Sequence, residues 1–322
     1  MSSSYSDCFS DLICDEDVDV LTKESPEYFQ EFEFPDEIEE SIARFVEGEG
    51  DYVPRFDYPS RFESHLLDAS ARQQSVAWIL KVQAFYRFQP LTAYLSVNYM
   101  DRFLASHGLP DAKGWPLQLL SIACLSLAAK MEEPLVPSLV DLQVEGTKFI
   151  FEPRTICRME LLVLTALDWR LRSITPFTFI DYFASKIDSS GSCIGFLISR
   201  ATEVILNTIR GINFLDYSPS SVAVASIIHA AKELPNLSIV TPGNAVAWCQ
   251  GLSKDRIMEC SQLMQEVVVG QKLRKPPKVK VLPQHRVMTH TDFDSGDSSS
   301  SSSSFSSKRR KLNNYNSDND NL

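Results

Sequence analysis

No stretch of this 322-residue chain approaches the run of about 18 apolar residues that a membrane-spanning helix requires. The longest apolar segment, Leu117–Ala129, is interrupted by Gln118, Ser121 and Ser126. It reads as a helix buried on most sides inside a bundle. Sustained apolar–polar alternation is also missing, so no sheet is expected. The seven cysteines form no Cys-x-x-Cys pair and the five histidines no His-x3-His pair. A zinc site is therefore not expected, nor any other cofactor. An odd, scattered set of thiols suits a reducing compartment. The N-terminus lacks an apolar signal region, so secretion is not expected. Basic residues are nearly missing from the first 51 positions, where 17 Asp and Glu face only Lys23 and Arg44. That segment carries −15 of an overall −11, which leaves about +4 for the rest. The acidity reads as a property of the N-terminal arm, and no large basic face argues for nucleic-acid binding.

What the chain does have is an internal repeat. Ala123-Cys124-Leu125-Ser126-Leu127-Ala128-Ala129-Lys130 returns 102 residues later as Ala225-Ser226-Ile227-Ile228-His229-Ala230-Ala231-Lys232. Each copy follows a proline, Pro116 or Pro219, and leads through a glutamate to another, Pro134 or Pro235. The period is too long for a solenoid of small units and implies two copies of one helical domain.

The organisation follows from helix punctuation. Residues 1–35 are acidic, serine-rich and poor in aliphatics, which predicts a disordered arm. Residues 36–69 form a connector that includes a short helix over Asp36–Glu47, with apolar spacing at Ile38, Ile42, Phe45 and Val46; positions 50–68 read as irregular. Residues 70–171 hold five predicted helices: Ser70–Phe88, Pro90–Ser106, Pro116–Met131, a short one at Pro137–Val144, and Pro153–Asp168. A second set occupies 172–270: Pro176–Ile187, Ile194–Arg210, Pro219–Glu233, Pro242–Gln250 and Lys254–Val269. Proline stands in or near the first turn of many of these, where its missing N–H costs nothing. Residues 271–322 are basic, unpatterned and end in a serine run, which predicts a disordered tail.

Two five-helix repeats of about 100 residues, all-α, describe the cyclin fold, and local motifs agree. Ala71–Leu80 occupies the first-helix position of a cyclin box. Asn98–Leu104 (NYMDRFL) resembles its second-helix signature, Leu127–Glu133 the end of its third helix, and Arg158–Leu164 (RMELLVL) its fifth. With the N-terminal motif described below, the chain resembles a plant D-type cyclin over nearly its full length. The resemblance implies a non-catalytic, activating subunit of a cyclin-dependent kinase that acts at the G1/S transition.

The residues themselves point the same way. Asp101 lies among the apolar Tyr94, Leu95, Tyr99, Phe103 and Leu104, where an unpaired carboxylate is costly. Arg72 is the candidate partner, and the resemblance implies this first-to-second-helix ion pair. Lys130 closes an apolar helix, where a cation complements the helix dipole. The resemblance adds that Lys130 and Glu160 bind backbone groups of the kinase's regulatory helix, with Phe149, Ile150 and Leu161 as candidate apolar neighbours. Lys232 lacks a matching acidic partner and reads as an ordinary helix-end lysine.

In an extended arm, Leu12, Cys14 and Glu16 share one face. They match the Leu-x-Cys-x-Glu motif that binds the retinoblastoma pocket, which implies a retinoblastoma-related partner. The first-helix docking patch of many cyclins is large and apolar, whereas the matching positions here are Ala71, Gln74 and Ser75, with only Val76 and Trp78 apolar. Weak docking of Arg-x-Leu segments is therefore expected. Kinase-inhibitor proteins are further candidate partners; nucleic acid and membrane are not. Lys308-Arg309-Arg310-Lys311 reads as a nuclear import signal, giving a nuclear protein with a cytoplasmic pool. A transcription initiation factor built from cyclin-like repeats should be basic and carry a zinc ribbon, and this chain has neither. An enzyme would need a nucleophile–base pair, phosphate loop or metal cluster, and none is evident.

Overall fold

The computed structural model describes residues 35–109, 114–143, 148–237 and 240–272. The predicted arm with Leu12, Cys14 and Glu16, and the tail with Lys308–Lys311, lie outside these residues. So does Val144 at the end of the predicted fourth helix.

The described residues are helical, with no strand among them. Helix α1 (Pro35–Gly48) leads through a 3₁₀ turn (Glu49–Tyr52) to the short α2 (Ser60–Glu63). The first repeat contains α3 (Ala69–Tyr86), α4 (Pro90–Ser106), α5 (Trp115–Glu132) and α6 (Pro153–Ala166). The second contains α7 (Ile180–Ile187), α8 (Ile194–Thr208), α9 (Pro219–Ala231), the single turn α10 (Pro242–Ala245) and α11 (Lys254–Lys272). Proline begins α4, α6, α9 and α10 and is the second residue of α5, where the missing donor is harmless.

Each repeat is built around its third helix. In α5, Leu120, Ile122, Cys124 and Leu125 are completely buried, and in α9 Val224, Ile227 and Ile228 are as well. The first core gathers around α5 with Val76 and Ile79 of α3, Tyr99 and Met100 of α4, and Ile156 and Val163 of α6. The second gathers around α9 with Phe183, Leu197, Ile205, Ile257 and Cys260, and takes Ile42 from α1. An apolar helix sheathed on all sides must be the middle of a bundle, which is why the repeated segment is the signature of both domains.

Polar groups then pin the helix ends. Asp68 caps α3, accepting from the amides of Ser70 and Ala71 at 2.9 and 3.2 Å. The Glu133 carboxylate, just past α5, accepts from the Gln89 amide at 2.7 Å and from the Thr92 hydroxyl, closing the start of α4. Arg61 donates to the carbonyls of Leu104 and Ala105 at the end of α4 (2.9 and 3.2 Å). A cation suits that end of the dipole.

Two expectations change and one is refined. The predicted fourth helix is a series of turns over Leu139–Leu142. There the Ser138 hydroxyl bonds the Asp141 carboxylate (2.6 Å) and accepts the Asp141 amide (3.2 Å), an N-cap contact over a single turn closed by Leu142 N–H to Ser138 O at 2.9 Å. The stretch 50–68 is irregular as expected apart from the end of the 3₁₀ turn and the short α2, and tertiary contact fixes it, with Tyr58 and Phe62 in the core. Finally, Val76 is fully buried and contributes nothing to the first-helix surface.

Candidate partner-binding cleft

Lys130 stands in the last turn of α5 and Glu160 in the middle of α6, 30 residues apart in sequence. The packing of the two helices brings Lys130 Nζ to 2.7 Å from Glu160 Oε1. The lysine side chain is 44 % exposed and the glutamate 8 %, so the acid is a recessed acceptor and the base an accessible donor. The pair sits beside a cleft of about 520 Å³ lined by Tyr52, Leu127, Met131, Leu164, Trp169 and Leu171, with Arg170 and Arg172 at its edge. Leu161 and Leu162, next to Glu160, are 56 % and 59 % exposed. Phe149 and Ile150 also face solvent. The surface combines one donor and one acceptor with an apolar floor, which suits a helix end with unpaired carbonyl and amide groups.

Trp169 stands out on this surface. Asp168 and Trp169 are successive left-handed residues, with φ of 50° and 59°. They close α6 through Trp169 N–H to Leu164 O at 2.9 Å and Asp168 N–H to Thr165 O at 3.2 Å, a loop in which Asp168 takes the usual glycine position and Trp169 follows it in the same left-handed region. Aspartate tolerates that conformation; a bulky aromatic in it is strained. The indole is 66 % exposed and lines the cleft. Strained, exposed side chains of this kind gather at binding sites. Sequence reasoning passed over Trp169, because nothing in the run Leu167-Asp168-Trp169-Arg170 announces a left-handed pair.

Arg72 and Asp101 meet as a buried ion pair. Arg72 Nε and one terminal nitrogen bind Asp101 Oδ1 and Oδ2 at 2.8 and 2.7 Å, and both side chains are at most 3 % exposed. Burial works against the guanidinium's charge, but the Asp101 carboxylate outweighs it and holds Arg72 above its ordinary value. Tyr58 donates to Asp101 Oδ1 at 2.8 Å. Burial first, and then the Asp101 charge, push that phenol far above its usual range, so it remains a donor. Arg72 also reaches the second repeat, donating to the carbonyl of Ile209 at 3.2 Å and of Arg210 at 3.5 Å.

Two further sites complete the picture. The first-helix patch is a groove of about 170 Å³ between α3 and α5, lined by Ala71, Gln74, Ser75, Trp78, Leu117 and Phe149 among others. Gln118 occupies part of it by donating to the Phe149 carbonyl at 2.7 Å. Lys232, the internal match of Lys130, is exposed with no ion pair among the described residues. No cluster of His, Cys, Asp and Glu able to hold a metal occurs among the described residues, and no helix there is long and apolar enough to cross a membrane.

Models of two families match the chain in tandem: "Cyclin, N-terminal domain" over residues 40–172 and "Cyclin, C-terminal domain" over 174–295. The chain belongs to the cyclin family. Cyclin-D1-1 of Arabidopsis thaliana is 57 % identical over 281 residues, covering 87 % of this chain and 83 % of that protein. Cyclin-D2-1 of Oryza sativa subsp. japonica is 56 % identical over 230 residues, 71 % of each. These relatives make it a plant D-type cyclin. A viral cyclin from herpesvirus saimiri shares the fold, with a TM-score of 0.54 at 14 % identity over 63 % of this chain and 86 % of that one. As a D-type cyclin the chain is a regulatory subunit of a cyclin-dependent kinase, without catalytic machinery of its own.

Proposed function

We propose that this cyclin activates its kinase through the Lys130–Glu160 cleft, at the G1/S transition, and recruits a retinoblastoma-related protein for phosphorylation. The observation that carries the reading is the 2.7 Å contact between an accessible Lys130 and a recessed Glu160 beside an apolar cleft. In the free protein the two groups satisfy each other. On binding, Lys130 turns to a carbonyl and Glu160 to an amide at the ends of the kinase's regulatory helix, while Leu161, Met131 and Trp169 bury apolar surface. Holding that helix places the kinase's own lysine–glutamate pair and activation loop in the productive arrangement. The chemistry stays with the kinase.

Recruitment is assigned to the arm. Leu12, Cys14 and Glu16 would add to the retinoblastoma pocket as an extended strand. The tether raises the local concentration of the bound substrate at the kinase. The α3–α5 groove, with Ala71, Gln74 and Ser75 in place of large apolar residues, supports the expectation that Arg-x-Leu segments dock poorly. Kinase-inhibitor proteins remain candidate partners, and Lys308–Lys311 supports nuclear import.

The test adds the purified chain to an inactive plant cyclin-dependent kinase and follows two substrates, a retinoblastoma-related protein and a histone. The parent chain activates both reactions. Cys14→Ala with Glu16→Ala lowers the first rate and leaves the second as before. Equal losses on both substrates would show that the arm supports the kinase complex itself rather than recruitment.

A further inference from the structure

The 3₁₀ turn Glu49–Tyr52 touches the second repeat with its first residue and the Lys130 cleft with its last. Glu49 is 6 % exposed. Its Oε2 accepts from the Ser220 amide at 2.7 Å and its Oε1 from the Ser220 hydroxyl at 2.6 Å. Ser220 lies in the first turn of α9, where amides lack helical partners and an anion is favoured. On the other side of the same corner, Arg72 binds the carbonyls of Ile209 and Arg210 just after α8. The α8–α9 corner is thus gripped by a cation at the end of one helix and an anion at the start of the next, each matching the dipole it meets.

Tyr52 lines the Lys130 cleft. It is fixed by Asn98, whose side-chain amide donates to the Tyr52 carbonyl at 2.8 Å, and by Arg102, which lies 5.6 Å from its ring centroid. Asp51 pairs at 3.5 Å with Arg170, another cleft residue. Burial raises the Glu49 carboxyl above its ordinary value, and the Ser220 bonds offset this only in part.

We propose that Glu49 is a positioning residue for kinase binding: it anchors the Glu49–Tyr52 turn on α9, so that the second repeat sets where Tyr52 stands in the Lys130 cleft. The inference rests on the reading of that cleft as the kinase-binding surface. The test measures the affinity of the full chain for a plant cyclin-dependent kinase, with the melting temperature of each variant alongside. Glu49→Ala and Tyr52→Ala are each expected to weaken binding about tenfold, and the double variant little further, because the two act as one unit. Glu49→Gln, which still accepts the Ser220 amide, restores affinity to within about twofold of the parent.

A Glu49→Ala chain that melts lower but binds like the parent overturns the proposal, since Glu49 is then only structural. Fully additive losses, or a Tyr52→Ala chain that binds normally, overturn it too. If Glu49→Ala does not fold, Ser220→Ala is expected to weaken binding about threefold, again without adding to Tyr52→Ala, and unchanged binding overturns the proposal. A parent chain that binds no kinase overturns the reading of the cleft itself, before any variant is compared.

Discussion

The same Ala-Ala-Lys stands at the C-terminal ends of α5 and α9, inside the last turn of the first and just past the end of the second, yet Lys130 meets Glu160 at 2.7 Å while Lys232 stands exposed with no ion pair among the described residues. The glutamates that follow also differ. Glu133 turns inward to close α4 in the first repeat, whereas Glu233 bonds Arg200 on α8 at 2.8 Å on the surface of the second. The first repeat contains the buried Arg72–Asp101 pair, and its guanidinium extends to α8. The second is held at its α8–α9 corner by charges from outside itself, Arg72 and Glu49. The lesson is that the repeated helix is scaffold in both copies. What differs is what a neighbouring helix places opposite that lysine: among the described residues α6 sets an acid against Lys130, and no acid pairs with Lys232.

That contrast is broken most sharply by exchanging the two lysines' fates. Lys130→Ala with Glu160→Ala is expected to lower kinase activation by about a hundredfold or more, the loss of two well-placed interface groups. Lys232→Ala should leave activation at the parent level. Both chains should melt cooperatively. Equal losses from the Lys130/Glu160 and Lys232 variants would show that neither repeat is specialised.

Arg72→Ala is expected to cost roughly 3–5 kcal/mol in denaturant unfolding, because Asp101 is left buried and uncompensated. The variant also removes the cation from the carbonyls of Ile209 and Arg210, so both repeats should loosen together. A loss confined to the first repeat, seen by hydrogen exchange, would mean that the contact with α8 is incidental.

The helices around α5 and α9 were legible because apolar helices with proline at the start announce themselves locally. Pro90, Pro153 and Pro219 each stand at the first helical position that the sequence predicts. Asp101 and Arg72 were legible by a different argument, that a carboxylate on an apolar helix needs a cation. The same argument could have found Glu49, which continues the α1 stripe of Ile42 and Val46 yet is acidic. It was hidden among the many acids of the first 51 residues, and the order of Tyr52 and Tyr58 depends on contacts with α4 that leave no local trace. Trp169 was missed for the reason that makes it informative: its backbone is one its residue type disfavours.

Trp169→Gly separates stability from binding within the first repeat. Glycine adopts the left-handed conformation without strain, which is worth about 1 kcal/mol, and the lost indole was largely exposed. The variant should therefore be as stable as the parent or more so, while binding the kinase more weakly for want of a cleft wall. A variant that is less stable and binds normally would make Trp169 a packing residue.

The smallest effect concerns pH and the second repeat. The Glu49 carboxyl is raised in the folded state by burial, against which its bonds to Ser220 work only partly. A raised carboxyl binds its proton more tightly folded than unfolded. Its stabilising contribution is therefore full below the ordinary glutamate range and is lost as pH rises through the folded value. Glu49→Gln removes that titration while keeping an acceptor for the Ser220 amide. The parent should accordingly gain stability relative to Glu49→Gln as the pH falls from 7 toward the ordinary glutamate value, and at neutral pH the variant should be no less stable than the parent. Melting both chains across that window checks the sign. A parent that instead loses ground to the variant on acidification would mean that the Ser220 bonds outweigh burial. The anion would then stabilise the α9 corner outright, and the second repeat would be bolted by charge as firmly as the first.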